Sequence, residues 1–170
     1  MKKLVLALTA AAALGACSQL ARERVSDQLA NELHTNPVLT VRSGFISVAP
    51  EPIVVSMKEL GRGPNAKPMT WRLPAGHRFA AENGIEILGV VVDGQGNPVK
   101  PDPKVFKDPN PRISREGRAA LSCQINDKDR SEFSCRFTDK AVVGIYRYNI
   151  RAVDPSGKPV ESDPSIFGME

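Results

Sequence analysis

The chain has 170 residues, 41% hydrophobic and 25% charged, which is enough for one packed domain once a leader is set aside. Its net charge of +4 includes Lys2 and Lys3; without those two, 21 basic residues face 19 acidic ones and the balance is +2, so there is no electrostatic footprint for nucleic acid. The 14 Pro and 13 Gly, with few long apolar helical patterns, argue against a helical bundle and for short strands joined by many turns.

The N-terminus opens on Met1-Lys2-Lys3, and an apolar run follows from Leu4 to Ala16. That run is too short to span a bilayer as a helix and suits a signal h-region. It ends in Leu14-Gly15-Ala16-Cys17. A Leu, two small residues and then Cys resembles the bacterial lipobox. In that family the Cys receives a diacylglycerol, and cleavage makes it the mature N-terminus. The resemblance implies a signal peptide over residues 1–16 and lipidation at Cys17. Ser18 stands where the family's inner-membrane retention signal is Asp, so the implied destination is the periplasmic face of the outer membrane. Several acyl chains make such an anchor permanent, where a single chain would be marginal.

Residues 17–37 read as a lipidated Cys and a tether. Ala21, Val25, Leu29 and Leu33 recur every four positions and Asn36-Pro37 closes the stripe; a short helix docked on the body and a flexible spacer both fit. His34 has no ligand residue beside it and is expected to be exposed. Residues 38–170 are expected to form one β domain. Val38 to Met57 is extended in three pieces interrupted by Pro50 and Pro52, which suits a first strand at a sheet edge. Met69, Trp71 and Leu73 share one strand face, and the aliphatic neighbours assign Trp71 to the core. Phe79, then Ile85 and Ile87, flank Glu82-Asn83-Gly84, which predicts an extended pair about an Asn-Gly turn.

A short motif occurs twice, VDGQGNPV at Val92 to Val99 and VDPSGKPV at Val153 to Val160. In each, Asp can bond the turn backbone, Gly can take positive φ, and Pro begins the next extended piece. These V-D-x-x-G-x-P-V units resemble the strand–turn units of bacterial Ig-like envelope modules. Between the two copies lies a Pro-rich stretch with six basic residues, Lys100, Lys104, Lys107, Arg112, Arg115 and Arg118. Either it is a solvated long loop, or it offers a basic face to lipid phosphates, peptidoglycan or an acidic partner.

From Leu121 to Phe137 apolar residues alternate: Leu121, Cys123, Ile125, then Phe133, Cys135, Phe137. Folding this stretch about Asp129 pairs Leu121 with Phe137, Cys123 with Cys135, and Ile125 with Phe133. A hairpin with a buried cross-strand disulfide follows. With Cys17 reserved for lipid, Cys123 and Cys135 are an even pair, as expected in an oxidising compartment. The charged tip, with Asp127, Asp129 and Glu132, lacks the glycine and spacing of a calcium loop. Farther on, Tyr146, Tyr148 and Ile150 alternate with Arg147, Asn149 and Arg151, a long strand with one buried and one wet side. In position and pattern it resembles the last strand of an Ig-like sandwich, although the cysteine spacing of a tyrosine corner is missing. Asp163 to Phe167 is expected to be an ordered cap or a partner segment.

No catalytic, dinucleotide or phosphate-loop motif is present in the sequence. The expectation is an all-β protein with a single Ig-like β-sandwich of about seven antiparallel strands and one disulfide hairpin. It should bind no cofactor or metal and catalyse no reaction. Its function is expected to be that of an envelope lipoprotein that binds or scaffolds another periplasmic or outer-membrane protein. The alternative is capture of an enzyme or a cell-wall fragment.

Overall fold

The computed structural model describes residues 34–102, 111–126 and 128–170. The expected signal peptide, Cys17 and the stripe from Ala21 to Leu33 lie outside these residues, as do Lys104, Lys107 and Asp127. In chain order the strands are β1 (Val38–Arg42), β2 (Phe45–Ala49), β3 (Ile53–Ser56), β4 (Met69–Arg72), β5 (Arg78–Phe79), β6 (Ile85–Val91), β7 (Ile113–Ser114), β8 (Leu121–Ile125), β9 (Glu132–Phe137), β10 (Gly144–Val153), β11 (Pro159–Ser162) and β12 (Ser165–Met169). One helical turn, Met57–Leu60, follows β3, and a 3-10 segment, Arg115–Ala120, joins β7 to β8.

The domain is all-β. Its strands form one continuous sheet in the order β3-β12-β10-β11-β2-β1-β4-β9-β8, with β5 and β6 along the other side of β10 and β7 beyond β6. There are twelve strands among the described residues rather than about seven. Turns and prolines cut the extended runs into short pieces: Ser43 and Gly44, at φ 51° and 86°, fold the first run into the β1–β2 hairpin. Three pairings are parallel, β1 with β4, β2 with β11 and β3 with β12.

Strand β10 is the centre of the sheet. Tyr146, Tyr148, Ile150 and Ala152 are buried on one face, while Arg147, Asn149 and Arg151 alternate with them half-buried. The wet face begins only past Ile145, which packs with Val91 and Phe167 in a second, smaller apolar row. Three strands separate β10 from β4 along the sheet, yet Trp71 Nε1 donates to Tyr148 Oη at 3.2 Å and the rings meet edge-on at 5.6 Å. Phe133 and Phe137 of β9 likewise meet Phe79 of β5 and Tyr146 of β10, at 5.3 and 5.9 Å. The sheet therefore curls until its β4–β9 half faces β10, and these six aromatic rings fill the space between. Edge-on contacts of this kind stabilise beyond the area they bury.

The hairpin has the register its alternation predicts, with Leu121 opposite Phe137, Cys123 opposite Cys135 and Ile125 opposite Phe133. Cys123 and Cys135 are bonded, with Cα atoms 4.0 Å apart; Cys135 is fully buried and Cys123 half-buried. The repeated turn is also as read. Asp93 Oδ1 accepts from the amides of Gln95 and Asn97, both at 2.9 Å. Asp154 Oδ1 accepts from Ser156 and Lys158, at 2.8 and 2.9 Å. Gly96 and Gly157 take φ 90° and 83°, the region that disfavours other residues.

Four local expectations give way to long-range pairing. Strands β5 and β6 do not pair with each other but lie end to end along β10, and residues 80–84 make a detour whose two ends bond the backbone of Arg151. Strand β1 is no edge, since β2 and β4 flank it. The C-terminal stretch is not a cap: β12 lies between β10 and β3 with Ile166 and Phe167 buried, so β10 is central and not last. His34 is half-buried, and its Nδ1 accepts from the Val54 amide at 2.8 Å; it covers the outer edge of β3.

Candidate functional site

Of the six basic residues singled out in the sequence, four fall within the described chain, and all four side chains are exposed. Two of these are committed to the scaffold. Arg112 donates to the Gly94 carbonyl at 3.4 Å. Arg118 donates to the Leu88 carbonyl at 3.3 Å and lies 3.9 Å from Glu86, whose carboxylate also holds Arg151 at 2.7 Å. The stretch is not simply a long loop either, because β7 pairs with β6 and the 3-10 segment lies against it. A Cβ on Gly117 would come 2.4 Å from the Val90 nitrogen, so this segment is seated directly on β6. Lys100 and Arg115 remain as exposed cations.

A second surface carries more of the features of a binding site. The Ser43-Gly44 turn closes β1 onto β2 at Arg42 and Phe45. In an antiparallel pair, residues alternate between bonding the neighbour and facing away from it. With Arg42 and Phe45 as a bonded pair, Ile46 and Val48 turn their backbone groups away from β1. On that side, among the described residues, β2 is paired at one position, Phe45 with Glu161 of β11, as β1 is with β4. Past it, Asp163-Pro164 carries the chain from β11 to β12, which pairs with β3, and β2 parts from its neighbour.

A groove lies where they part. One recess, of about 370 Å³, is lined by Phe45, Ile46, Asn149, Glu161, Ser162 and Asp163. The next, of about 340 Å³, is lined by Ser47, Val48, Glu51, Ser162, Asp163 and Pro164. The shared Ser162 and Asp163 make them continuous. Among the described residues, Phe45 is the most exposed of the large apolar side chains, at 69%.

The floor of the groove is a polar corner. Glu51 Oε1 accepts from the Ser165 amide at 2.8 Å. Arg147 donates to Ser165 Oγ at 3.2 Å and pairs with Asp163 at 3.1 Å. Glu51 as a whole residue is exposed, but its carboxyl end is tucked into this corner. Burial there pushes its pKa up to about 7, against the opposing effects of the Ser165 amide and Arg147. Sequence reasoning placed an open edge on the first strand, whereas β1 has β2 on one side and β4 on the other. The signal that would have found the groove was Asp163-Pro164, which ends β11 because Pro brings no ladder donor.

A third recess, of about 290 Å³, lies against the hairpin and is lined by Ser122, Gln124, Arg136, Thr138 and Asp139 among others. Among the described residues no three His, Cys, Asp or Glu side chains are grouped to hold a metal ion, and no helix is long and apolar enough to cross a membrane. Comparison of the chain with protein-family models, with curated proteins and with solved structures finds no match.

Proposed function

We propose that this chain is an exported lipoprotein, anchored through Cys17 at the periplasmic face of the outer membrane, whose β domain binds or scaffolds another envelope protein without catalysis. The observation that carries the binding reading is the groove between β2 and the turn from β11 to β12, where an exposed Phe45 and acidic side chains meet. Concave sites that join apolar surface to a few placed polar groups are where ligands and partners are commonly held. The Cys123–Cys135 bond supports an oxidising compartment.

The same reading takes the domain as Ig-like, a sandwich made by one sheet folded over on itself. The facing of β4 and β9 against β10 supports it. So does Tyr146, whose hydroxyl donates to the Val142 carbonyl and accepts from the Val142 amide. That bond back to the backbone just upstream is the geometry of a tyrosine corner, formed here with Tyr148 in place of the usual Cys two residues on.

A second reading, capture of a cell-wall fragment or an enzyme, is favoured by the small polar recess at Gln124 and Arg136. In-cell chemical cross-linking of the lipidated protein, run beside sedimentation with purified peptidoglycan, separates the two. A defined adduct with an envelope protein is expected. Co-sedimentation with peptidoglycan and no adduct would favour the second reading, and turnover of a substrate by the purified protein would sink both.

A further inference from the structure

We infer that the outer edge of β8 docks an extended, acidic segment of a partner protein as a further strand. This rests on the reading that the domain binds another envelope protein. It adds a surface other than the β2 groove, four strands away along the sheet. Strand β8 ends the sheet: among the described residues it pairs with β9 and with no other strand. The Asn126 amide donates to the Glu132 carbonyl and the Thr138 amide to the Ala120 carbonyl. In that register Ser122 and Gln124 bond β9, and Cys123 and Ile125 turn their amides and carbonyls outward. The strand is L-S-C-Q-I in unbroken register, without the charge, bulge or Pro that normally keeps an edge from pairing with another chain. The outer edge of β3, by contrast, is covered by His34 on the Val54 amide.

Burial and charge decide the occupant. Phe133 and Cys135 of β9 are 6% and 0% exposed, yet Ile125 and Cys123 opposite them are only half-buried. The core face lacks cover where β8 ends, and apolar residues of an added strand supply it. On the other face Ser122 and Gln124 are exposed and line the recess of about 290 Å³ together with Arg136. Arg136 is half-buried, stands opposite Ser122 and makes no ion pair among the described residues. It is the one cation lining that recess. The one acid, Asp139, packs against Gly63, which bonds Phe137 on the side of β9 away from β8. An added strand lies two strand spacings from β9, about 10 Å, which a Glu and an Arg side chain span between them. Alternation puts all its acidic residues on this face and its apolar ones over Cys123 and Ile125. A second copy of this chain, paired through the same edge, would bring Ser122 and Gln124 and no carboxylate. A basic segment would meet Arg136 with like charge.

The test uses the full lipidated protein in detergent and two synthetic probes, an alternating glutamate–valine peptide and its lysine–valine counterpart. Binding is read by fluorescence anisotropy, and the site by amide hydrogen exchange along β8. The glutamate peptide should bind and slow exchange at Cys123 and Ile125, and the lysine peptide should not. Arg136→Glu should weaken the glutamate peptide at least tenfold with the melting temperature unchanged, as expected when a complementary contact becomes repulsive. Gln124→Lys, on the exposed face, should tighten it. Equal binding of both peptides, or binding that leaves exchange at Cys123 and Ile125 unchanged, overturns the inference. So does exchange there that slows with protein concentration alone, which would assign the edge to a second copy. Binding of soluble peptidoglycan fragments that Arg136→Glu abolishes, with exchange along β8 unchanged, would assign the recess to a cell-wall ligand and overturn it too. An envelope-protein adduct in cells that survives Arg136→Glu also removes this site, while leaving the binding reading in place.

Discussion

Glu51 sits where the chain leaves β2 and where β11 gives way to β12, and its protonation couples that corner to pH. The folded protein holds its proton up to about pH 7, whereas the unfolded chain releases it at the ordinary value of 4.5. Stability from this group is thus full below 4.5 and is lost as pH rises through 7. Glu51→Gln keeps the acceptor for the Ser165 amide and should flatten that decline, read as urea midpoints across this range. His34 works in the opposite sense. Burial lowers its pKa from 6.5, and only the neutral ring can accept from Val54, so its contribution is present above 6.5 and lost as pH falls. Tyr146→Phe removes the hydroxyl that ties Val142 and leaves that backbone without this partner. It should cost about 1–3 kcal/mol by denaturant titration. At this scale Trp71 was legible, because its face-mates Met69 and Leu73 are aliphatic. His34 was not, because its partner is a backbone amide twenty positions away and no side-chain pattern announces it.

At the scale of elements, the disulfide hairpin and the repeated Asp-Gly turn were legible because each is specified by residues close together in sequence. Alternation fixes the hairpin register, and a one-residue slip would turn every apolar side chain outward. Reduction of Cys123–Cys135 should lower stability by roughly 3 kcal/mol in the chain-entropy model. The proposed lipid anchor is independent of the bond, so reduction should leave membrane attachment unchanged. The 3-10 segment gives a sharper packing test. Gly117→Ala forces a methyl against the Val90 backbone and should cost about 1–3 kcal/mol, the range for overpacking a filled site. What local patterns did not show was the choice of neighbour. Asn83-Gly84 has the residues of a tight hairpin turn, yet Arg151 bonds both ends of the detour and lays β5 and β6 along one edge of β10. The C-terminal residues read as a cap for the same reason: only the approach of β3 and β10 makes β12 a core strand.

For the whole molecule, the curl of the sheet links fold to proposed function. Folding β4 and β9 over β10 buries the aromatic core. The turn from β11 to β12 that completes this arrangement parts β2 from its neighbour and walls the acidic groove. The all-β class was legible from composition and turn signals, but the position of the groove was not, since it depends on which strands end early. The basic stretch stood out in sequence through its charge, and the structure commits Arg112 and Arg118 to the fold. The proposed lipid on Cys17 would hold this domain on a membrane. Growth with labelled palmitate, comparing the native chain with Cys17→Ser, tests that most directly. The native protein should carry label and fractionate with the outer membrane, and Cys17→Ser should lose both. An unlabelled native protein, or label that survives the substitution, would contradict the account.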